Sequence, residues 1–192
     1  MPLVNMRDML QHAHRERYAI AAFDLVSLDF LHAILNAAEA CEAPVILSLA
    51  ESHFDYFDFP TIMPAVVSAA RRANVPVAIH LDHGATYESA VQGINLGCTG
   101  VMVDASTQPF DGNVEVTRKI VAMAHGCGVP VEGELGCLGS LESGHGEKED
   151  GHGAEGVLSQ DQLLTDPNEA ADFVKKTKVD ALAIAIGTSH GA

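Results

Sequence analysis

Positively charged residues are scarce in this chain of 192 residues. Eleven lysines and arginines stand against 26 aspartates and glutamates, which gives a formal net charge of −15 at pH 7. Nucleic acids attract proteins mainly through the phosphate backbone, so this imbalance argues against a nucleic-acid-binding function. An anionic small molecule can still be a substrate if a metal ion, backbone N–H groups or a few placed cations hold it.

Long apolar runs and closely spaced cysteines are also absent from the sequence. No apolar run approaches the roughly 20 residues that a membrane-spanning helix needs, and the first ten residues lack the apolar core of a signal peptide. The four cysteines form no Cys-x-x-Cys pair. We therefore expect a soluble cytoplasmic protein without a membrane partner, whose thiols are reduced and buried, namely Cys41, Cys98, Cys127 and Cys137.

The sequence does contain a regular alternation of apolar strands and helices. Six short apolar segments are predicted strands, at residues 18–23, 45–49, 77–84, 101–104, 129–136 and 181–186. Residues at helical spacing lie before and between them, at 5–15, 28–41, 60–74, 87–96, 113–125 and 167–178. Asn113 is predicted to cap the fifth of these helices. Continuously apolar strands indicate a parallel sheet covered by helices.

Two architectures with a parallel sheet fit this alternation: an open doubly wound sheet and a (β/α)8 TIM barrel. No Gly-x-Gly-x-x-Gly motif follows the first strand and no phosphate loop is found, which weakens the case for a nucleotide-binding open sheet. A barrel explains why polar residues end strand after strand, because all its strand ends line one site. Six units are fewer than eight, so we expect residues 1–192 to form a single barrel domain that is incomplete at its C-terminus.

Acidic residues and histidines end the predicted strands. They are Asp24, Asp82, His83, Asp104, Glu132, Glu134 and His190. Each has an ordinary explanation when taken alone, because aspartates often cap helices and single histidines usually pack within hydrogen bonds. Together, at one end of one sheet, they predict a functional site. Two imidazoles with one further ligand and an open position form the pattern of a catalytic zinc ion.

The predicted strand from Val77 to Gly84 is the centre of this expected site. Strand alternation places His80 and Asp82 on one face of the sheet. His83 joins that face only if the backbone turns at Gly84, which glycine permits. We therefore expect a turn at the glycine and three polar side chains on one side of it.

One long segment, residues 137–156, is rich in Gly, Glu, His and Asp and has almost no apolar residues. A segment of this length without regular structure is usually an active-site lid or disordered, so we predict a mobile active-site loop. His145 and His152 in this segment are more simply explained as solvated side chains than as metal ligands. Composition alone predicts that Glu142 is a solvated charge.

Four motifs carry a resemblance to a known family. They are the segments Ala78–Gly84 (AIHLDHG), Gly100–Ser106 (GVMVDAS), Val131–Gly136 (VEGELG) and Ala183–Gly191 (AIAIGTSHG). In these motifs the chain resembles the class II, zinc-dependent ketose-bisphosphate aldolases, particularly the tagatose-bisphosphate branch. The motifs occur in family order and cover nearly the whole chain. The resemblance implies a TIM barrel that assembles into a homo-oligomer, a dimer or a tetramer.

The same resemblance implies a metal centre. His83 and His190 match the family's ligands of the catalytic zinc ion, and family members supply a third histidine from a later strand. Asp104 and Glu134 match positions that hold a second or alternative metal ion in some members. A zinc ion acts there as a Lewis acid, so the family needs no Schiff-base lysine. None of the six predicted strands contains a lysine.

The resemblance also implies roles in catalysis. Asp82 would be the acid at the aldehyde oxygen, and Glu142 would remove the proton from the dihydroxyacetone phosphate carbon. The backbone N–H of Gly191 would bind the ketose phosphate. The implied reaction is cleavage of a tagatose or fructose type ketose 1,6-bisphosphate to dihydroxyacetone phosphate and an aldehyde, through a zinc-stabilised enediolate.

Two alternatives remain open at this point. Asp24 stands where many relatives have Asn, and the lid differs from theirs, which favours an aldolase for another phosphorylated ketose. Leu141 replaces an acidic residue that often precedes the lid glutamate. The second alternative is a non-catalytic accessory subunit of an aldolase complex, although a structural role would need none of Asp82, His83 and His190.

Overall fold

A computed structural model of the chain describes residues 2–55, 58–136, 139–141, 144–149, 152–159 and 163–188. Its helices are α1 (Met6–Glu16), α2 (Leu28–Ala40), α3 (Phe59–Arg72), α4 (Tyr87–Leu96), α5 (Phe110–Gly126) and α6 (Pro167–Thr177), with a 3-10 helix at Glu51–Asp55. Its strands are β1 (Ala21–Asp24), β2 (Val45–Ala50), β3 (Val77–Gly84), β4 (Gly100–Val103), β5 (Val131–Leu135), β6 (Gly139–Ser140), β7 (His145–Glu149), β8 (His152–Val157) and β9 (Ala181–Ile184). Within these residues, no helix combines the length and the apolar character that crossing a membrane requires.

The main sheet has six parallel strands that curl into half of a barrel. Their order is β1-β2-β3-β4-β5-β9, so each strand lies beside the previous strand of the alternating pattern. A doubly wound sheet reverses its strand order near the middle, and no such reversal occurs in this sheet. The six predicted strands are confirmed, and the sequential order favours the barrel over the open sheet.

Side chains alternate between the two faces of this sheet. The outer face is apolar and packs against the helices, with a buried core that includes Val45, Leu47, Leu49, Val77, Ile79, Leu81, Val101, Val103, Met63, Val66, Ile120 and Phe173. The inner face instead carries polar residues toward the carboxyl ends of the strands, namely Ser48, His80, Asp82, Glu132 and Glu134. The hydrophobic core therefore lies between sheet and helices, which leaves the concave face for chemistry.

Helix α1 covers the end of the half-barrel where the strands begin. Met6 and Met9 are buried against Ile46 and Ala78 on the inner face of β2 and β3. A Cβ atom on Gly100 would lie 2.7 Å from the sulfur of Met6, so the helix packs directly on the glycine at the start of β4. This apolar plug closes one end and confines the polar inner face to the other.

Helix α5 begins three residues earlier than the sequence predicts. Its first residue is Phe110, and Pro109 precedes it without a side-chain cap. Asn113 is buried in the first turn, where its Nδ2 donates a hydrogen bond to the carbonyl oxygen of Glu134 at 2.8 Å. The prediction that Asn113 caps the helix is wrong, and the residue instead ties α5 to the end of β5.

The segment after β5 is not without regular structure. Strands β6, β7 and β8 form a three-stranded antiparallel sheet within it. The expectation of an irregular loop is therefore wrong for these described residues. The mobility of residues 137–156 stays a prediction, as does the extent of the domain.

The three described cysteines are free thiols. Cys98 is buried, and burial raises the pKa of its thiol to about 12. Cys41 and Cys127 are exposed, so the prediction of buried thiols is wrong for these two. Cys137 lies outside the described residues.

A carboxylate just before β9, that of Asp180, joins several elements at the closed end of the half-barrel. Asp180 accepts hydrogen bonds from Arg7 Nε at 2.6 Å and from the backbone N–H of Val131 at 2.8 Å. His125 Nε2 lies 2.8 Å from the second oxygen of the same carboxylate. Asp180 thus connects α1, the end of α5 and β5. Because it also satisfies a backbone donor, its contribution exceeds that of an exposed ion pair.

We predict that Asp180→Asn lowers the free energy of unfolding by about 1–2 kcal/mol, because the amide keeps the shape but weakens charge-assisted hydrogen bonds. Urea denaturation of the purified protein measures the change. Glu115→Gln is the matched control, since it breaks an exposed pair with Lys119 and should cost less than about 0.5 kcal/mol. Equal effects of the two substitutions would contradict this assignment.

Candidate active site and metal centre

Strand β3 ends in a backbone irregularity that brings two polar side chains to one cavity. His83 has φ 45°, in the left-handed region, and the register with β4 shifts between Leu81 and Gly84. The expected turn is therefore at His83 rather than at Gly84. A left-handed non-glycine residue costs on the order of 1 kcal/mol and is typical of functional sites. Because of this bulge, the consecutive residues Asp82 and His83 both line the cavity.

Gly84 has a different role from the predicted one. A Cβ atom at this position would lie 2.5 Å from the carbonyl oxygen of Met102. The glycine therefore permits a close approach of β3 to β4 directly after the bulge. This approach brings the end of β3 next to Asp104, which follows β4.

Three side chains from neighbouring strand ends form a cluster that could hold a metal ion. One candidate ligand atom from each of His83, Asp104 and Glu134 lies within 4.8 Å of the other two. His83 Nδ1 is 3.1 Å from Asp104 Oδ2. The other oxygen of Asp104 accepts hydrogen bonds from the backbone N–H and the hydroxyl of Ser106, at 3.0 and 2.6 Å. The carboxylate of Asp104 is thus held in place by the turn that follows it.

The electrostatics of the cluster are dominated by buried negative charge. Burial, together with the charge of Asp104, raises the pKa of Glu134 to about 8. Burial also raises the pKa of Glu132. For His83, burial opposes the charged imidazolium, but the hydrogen bond to Asp104 and the nearby carboxylates outweigh it and raise the pKa to about 9. The site therefore favours a cation, which is either a proton or a metal ion.

The donor atoms of this cluster fit a divalent metal ion. An imidazole nitrogen and carboxylate oxygens are ligands that zinc accepts, and carboxylates also suit harder ions. Asp104 has a side chain with no exposed surface, so its charge needs a partner inside the protein. Zinc can supply this positive charge while releasing protons from His83 and Glu134.

The carboxylate of Asp82 stands beside the cluster and is fixed by two donors. Ser48 donates its hydroxyl hydrogen to Oδ2 at 2.8 Å, and the backbone N–H of His83 donates to Oδ1 at 3.1 Å. Each oxygen of Asp82 therefore accepts one hydrogen bond from the protein, and these two bonds fix the orientation of the carboxylate. A fixed carboxylate at the edge of a cavity can accept or donate a proton to a bound molecule.

A second pair lies on the inner face below Asp82 and Glu134. His80 is 4% exposed, and its Nε2 lies 3.3 Å from an oxygen of Glu132. This contact lacks hydrogen-bond geometry, and no described residue accepts from or donates to the nitrogen. His80 and Glu132 are separated by β4, so they meet across the sheet and form the floor of the site.

These residues surround a cavity of about 220 Å³ at the carboxyl ends of β3, β4, β5 and β9. Its lining consists of Asp82, His83, Met102, Glu132, Glu134, Gly136, Ala183, Ile184 and Ala185. Larger surface grooves occur elsewhere, for example one of about 540 Å³ along α5, but within the described part of the chain the group of ligating side chains that could hold a metal ion is that of His83, Asp104 and Glu134. The combination of enclosure and chemistry identifies the smaller cavity as the candidate site.

The structure brings together most of the strand-end residues that the sequence singles out. Asp82, His83, Glu132 and Glu134 line one cavity, and Asp104 contacts His83. Asp24 is exposed at the end of β1 and does not line this cavity. Three further predicted site residues lie outside the described residues, namely Glu142, His190 and Gly191.

Sequence reasoning misses the residues that hold the site in place. Ser48 is the one polar residue in β2, and its position on the inner face was a signal that strand alternation could have given. Ser106 lies two residues after Asp104. At this spacing an aspartate side chain commonly accepts a hydrogen bond from the backbone of its own turn. Asn113 gave no such signal, because its partner is the backbone of a distant strand.

Comparison with known proteins gives consistent results. Residues 4–192 match the family model described as fructose-bisphosphate aldolase class-II. A fructose-bisphosphate aldolase of Pseudomonas aeruginosa is 50% identical over 200 aligned positions that cover 100% of this chain and 56% of that protein. One from Stutzerimonas stutzeri is 49% identical with the same coverage. The chain thus spans just over half the length of these relatives.

A solved structure extends the likeness to three dimensions. The YdjI aldolase of Escherichia coli K12 superposes with a TM-score of 0.83 and is 33% identical, covering 98% of this chain and 64% of that one. This similarity confirms the predicted barrel fold, of which the described residues contain six parallel strands and the helices before and between them. The topology and the match therefore agree.

We predict that the affinity of the site for zinc rises as the pH increases from 6 to 8. In the metal-free protein the pKa of His83 is raised to about 9 and that of Glu134 to about 8, so both groups are protonated below these values. Zinc must displace these protons, and each one released changes the affinity by about tenfold per pH unit. Competition with a chromophoric chelator measures the affinity across this range.

Glu134→Gln provides the matched control, since it removes one of the two titrating groups and should reduce the dependence on pH. A zinc affinity that stays constant between pH 6 and 8 would contradict the assignment of these residues as ligands.

Proposed function

Because the chain belongs to the class II fructose-bisphosphate aldolase family, we propose that it contributes the metal-binding and proton-transferring part of a ketose-1,6-bisphosphate aldolase site. The observation that carries this proposal is the cluster of His83, Asp104 and Glu134 beside the fixed carboxylate of Asp82. The proposal concerns the full-length natural protein, since this chain spans just over half of its relatives.

The proposed reaction breaks the bond between C3 and C4 of the sugar bisphosphate and yields dihydroxyacetone phosphate and an aldehyde. The relatives are named fructose-bisphosphate aldolases, which supports fructose 1,6-bisphosphate as the first substrate to test. Tagatose 1,6-bisphosphate differs from it only in the configuration of a hydroxyl group at C4. The contacts that would distinguish the two sugars lie around that carbon, next to the proton-transferring residue.

Asp82 is the proposed proton-transferring residue. In cleavage its carboxylate takes the proton of the C4 hydroxyl as the aldehyde forms, and in condensation it returns that proton to the aldehyde oxygen. The cavity position supports this role, because Asp82 lines the same space as His83. Its two hydrogen bonds from Ser48 and His83 hold the carboxylate in one orientation while the proton moves.

His83 and His190 are the proposed ligands of a catalytic zinc ion, with Asp104 and Glu134 as the holders of a second or alternative metal position. A bound zinc ion would polarise the ketose carbonyl and stabilise the negative charge that develops beside it. Asp104 orients His83 through the contact with Nδ1 at 3.1 Å. This support by a carboxylate is typical of imidazoles that bind metal ions.

Glu142 and Gly191 keep the roles that the family resemblance implies. We infer that in condensation Glu142 removes the proton from the dihydroxyacetone phosphate carbon, that in cleavage it returns this proton to the enediolate, and that the N–H of Gly191 binds the ketose phosphate. The described neighbours support this, since Leu141 N donates to the carbonyl oxygen of Gly187 at 3.0 Å. The residue before Glu142 is therefore anchored to the loop that leads to His190.

The accessory-subunit alternative is disfavoured by the energetic cost of the site. A protein that only stabilised a partner would gain nothing from a left-handed His83 or from placing the buried Asp104 close to the half-buried Glu134. These features are costly for folding and useful for binding a cation. An aldolase for another phosphorylated ketose would use the same cluster, so the choice of sugar is an experimental question.

We predict that the full-length natural protein cleaves fructose 1,6-bisphosphate, loses this activity on chelation and regains it with zinc. The reason is that the described residues of the cavity lining include no lysine or arginine that could replace the metal ion. A coupled assay for dihydroxyacetone phosphate measures the rate, with tagatose 1,6-bisphosphate tested in parallel.

Cleavage that survives complete removal of metal would contradict the proposal. Bound zinc with no cleavage of either sugar would instead favour another phosphorylated ketose, and neither zinc nor activity would favour the accessory subunit.

A further inference from the structure

Strand β2 contains a single hydroxyl in an otherwise apolar, fully buried segment. Val45, Ile46, Leu47, Leu49 and Ala50 surround it in sequence, and every residue of the strand is buried. Ser48 is 3% exposed and lies on the inner face of the half-barrel. Burying a hydroxyl costs free energy unless it is hydrogen-bonded. The hydrogen-bond partner of Ser48 therefore indicates the role of this residue.

The partner is the proposed proton-transferring carboxylate. Ser48 Oγ lies 2.8 Å from Asp82 Oδ2, although the two residues are not opposite each other in the sheet. The register pairs Ser48 with His80 and Ala50 with Asp82, so the Asp82 side chain leans back along the strand to reach the hydroxyl.

The hydrogen bond has a defined direction. An ionised carboxylate only accepts hydrogen bonds, so the single hydrogen of Ser48 points to Asp82. The other oxygen of Asp82 accepts from the backbone N–H of His83 at 3.1 Å. With both oxygens held, the carboxylate cannot rotate toward the cluster of His83, Asp104 and Glu134, where it could take up a metal ion.

We propose that Ser48 is a positioning residue that holds Asp82 for proton transfer and keeps it out of the metal-binding cluster. This inference rests on the proposed aldolase function and goes beyond it by assigning β2 a part in the reaction. Ser48 itself neither gains nor loses a proton. During cleavage, the C4 hydroxyl proton moves to Asp82, the C3–C4 bond breaks, and its electron pair stays with the ketose fragment.

The test compares two substitutions in the full-length natural protein with zinc bound. Ser48→Ala removes the donor, and we expect kcat for fructose 1,6-bisphosphate to fall about tenfold, which corresponds to one hydrogen bond to a charged group. KM and the zinc content should stay within about twofold of the parent, because a positioning residue does not bind either. Ser48→Thr keeps the hydroxyl in a side chain that strands tolerate, so it should restore kcat to within about threefold.

Thr177→Val is the matched control, since it deletes another buried hydroxyl, one that donates to the carbonyl oxygen of Phe173 far from the cavity. It should leave kcat unchanged. Crystal structures of the parent and of Ser48→Ala supply a readout that does not depend on activity. We expect the Asp82 carboxylate to change orientation when the hydroxyl is absent.

Three results would overturn the proposal: an unchanged kcat in Ser48→Ala, an equal loss in Ser48→Thr, or an unmoved Asp82 in the crystal structure. A parent protein that cleaves neither fructose nor tagatose 1,6-bisphosphate would instead refute the aldolase function on which the proposal rests. The activity of the parent enzyme therefore separates the two failures.

Discussion

The repulsion between closely spaced carboxylates, of which Asp104 is buried and the others are half-buried, is the interaction on which this site depends. Asp104 and Glu134 approach one imidazole, that of His83, and Asp82 and Glu132 lie beside them. In a low-dielectric pocket these charges can coexist only with protons or with a bound cation. The raised pKa values of His83 and Glu134 show that, without a metal ion, protons compensate the negative charge. A metal ion that replaces these protons would relieve the same repulsion, and this relief would contribute to the free energy of metal binding.

The contacts that stabilise the half-barrel and the residues of the candidate site lie at opposite ends of it. At the closed end, Met6 and Met9 fill the half-barrel and Asp180 joins α1, α5 and β5. At the open end, the bulge at His83 and the close approach at Gly84 bring the strand ends together. Parallel strands make this division natural, because all their carboxyl ends meet at one side. The strain at His83 is thus carried by a framework that is anchored elsewhere.

Much of the fold could be predicted from the apolar pattern, because period and length distinguish these strands and helices well. The strand-end acids were found for the same reason, since they interrupt apolar runs at their ends. A turn was expected at Gly84, but its position at His83 could not be predicted, because the close approach of Gly84 to the backbone of Met102 is a contact between strands that local sequence does not reveal. The roles of Ser48 and Asn113 depend on partners 34 and 21 positions away, which periodicity does not reveal.

The central claim is that the cluster at the ends of β3, β4 and β5 is a metal centre. Anomalous diffraction at the zinc absorption edge, from crystals of the full-length natural protein, tests it most directly. We predict a strong peak within bonding distance of an imidazole nitrogen of His83, beside Asp104 or Glu134. A zinc-saturated crystal with no peak at His83, or with the ion bound elsewhere, would contradict the account.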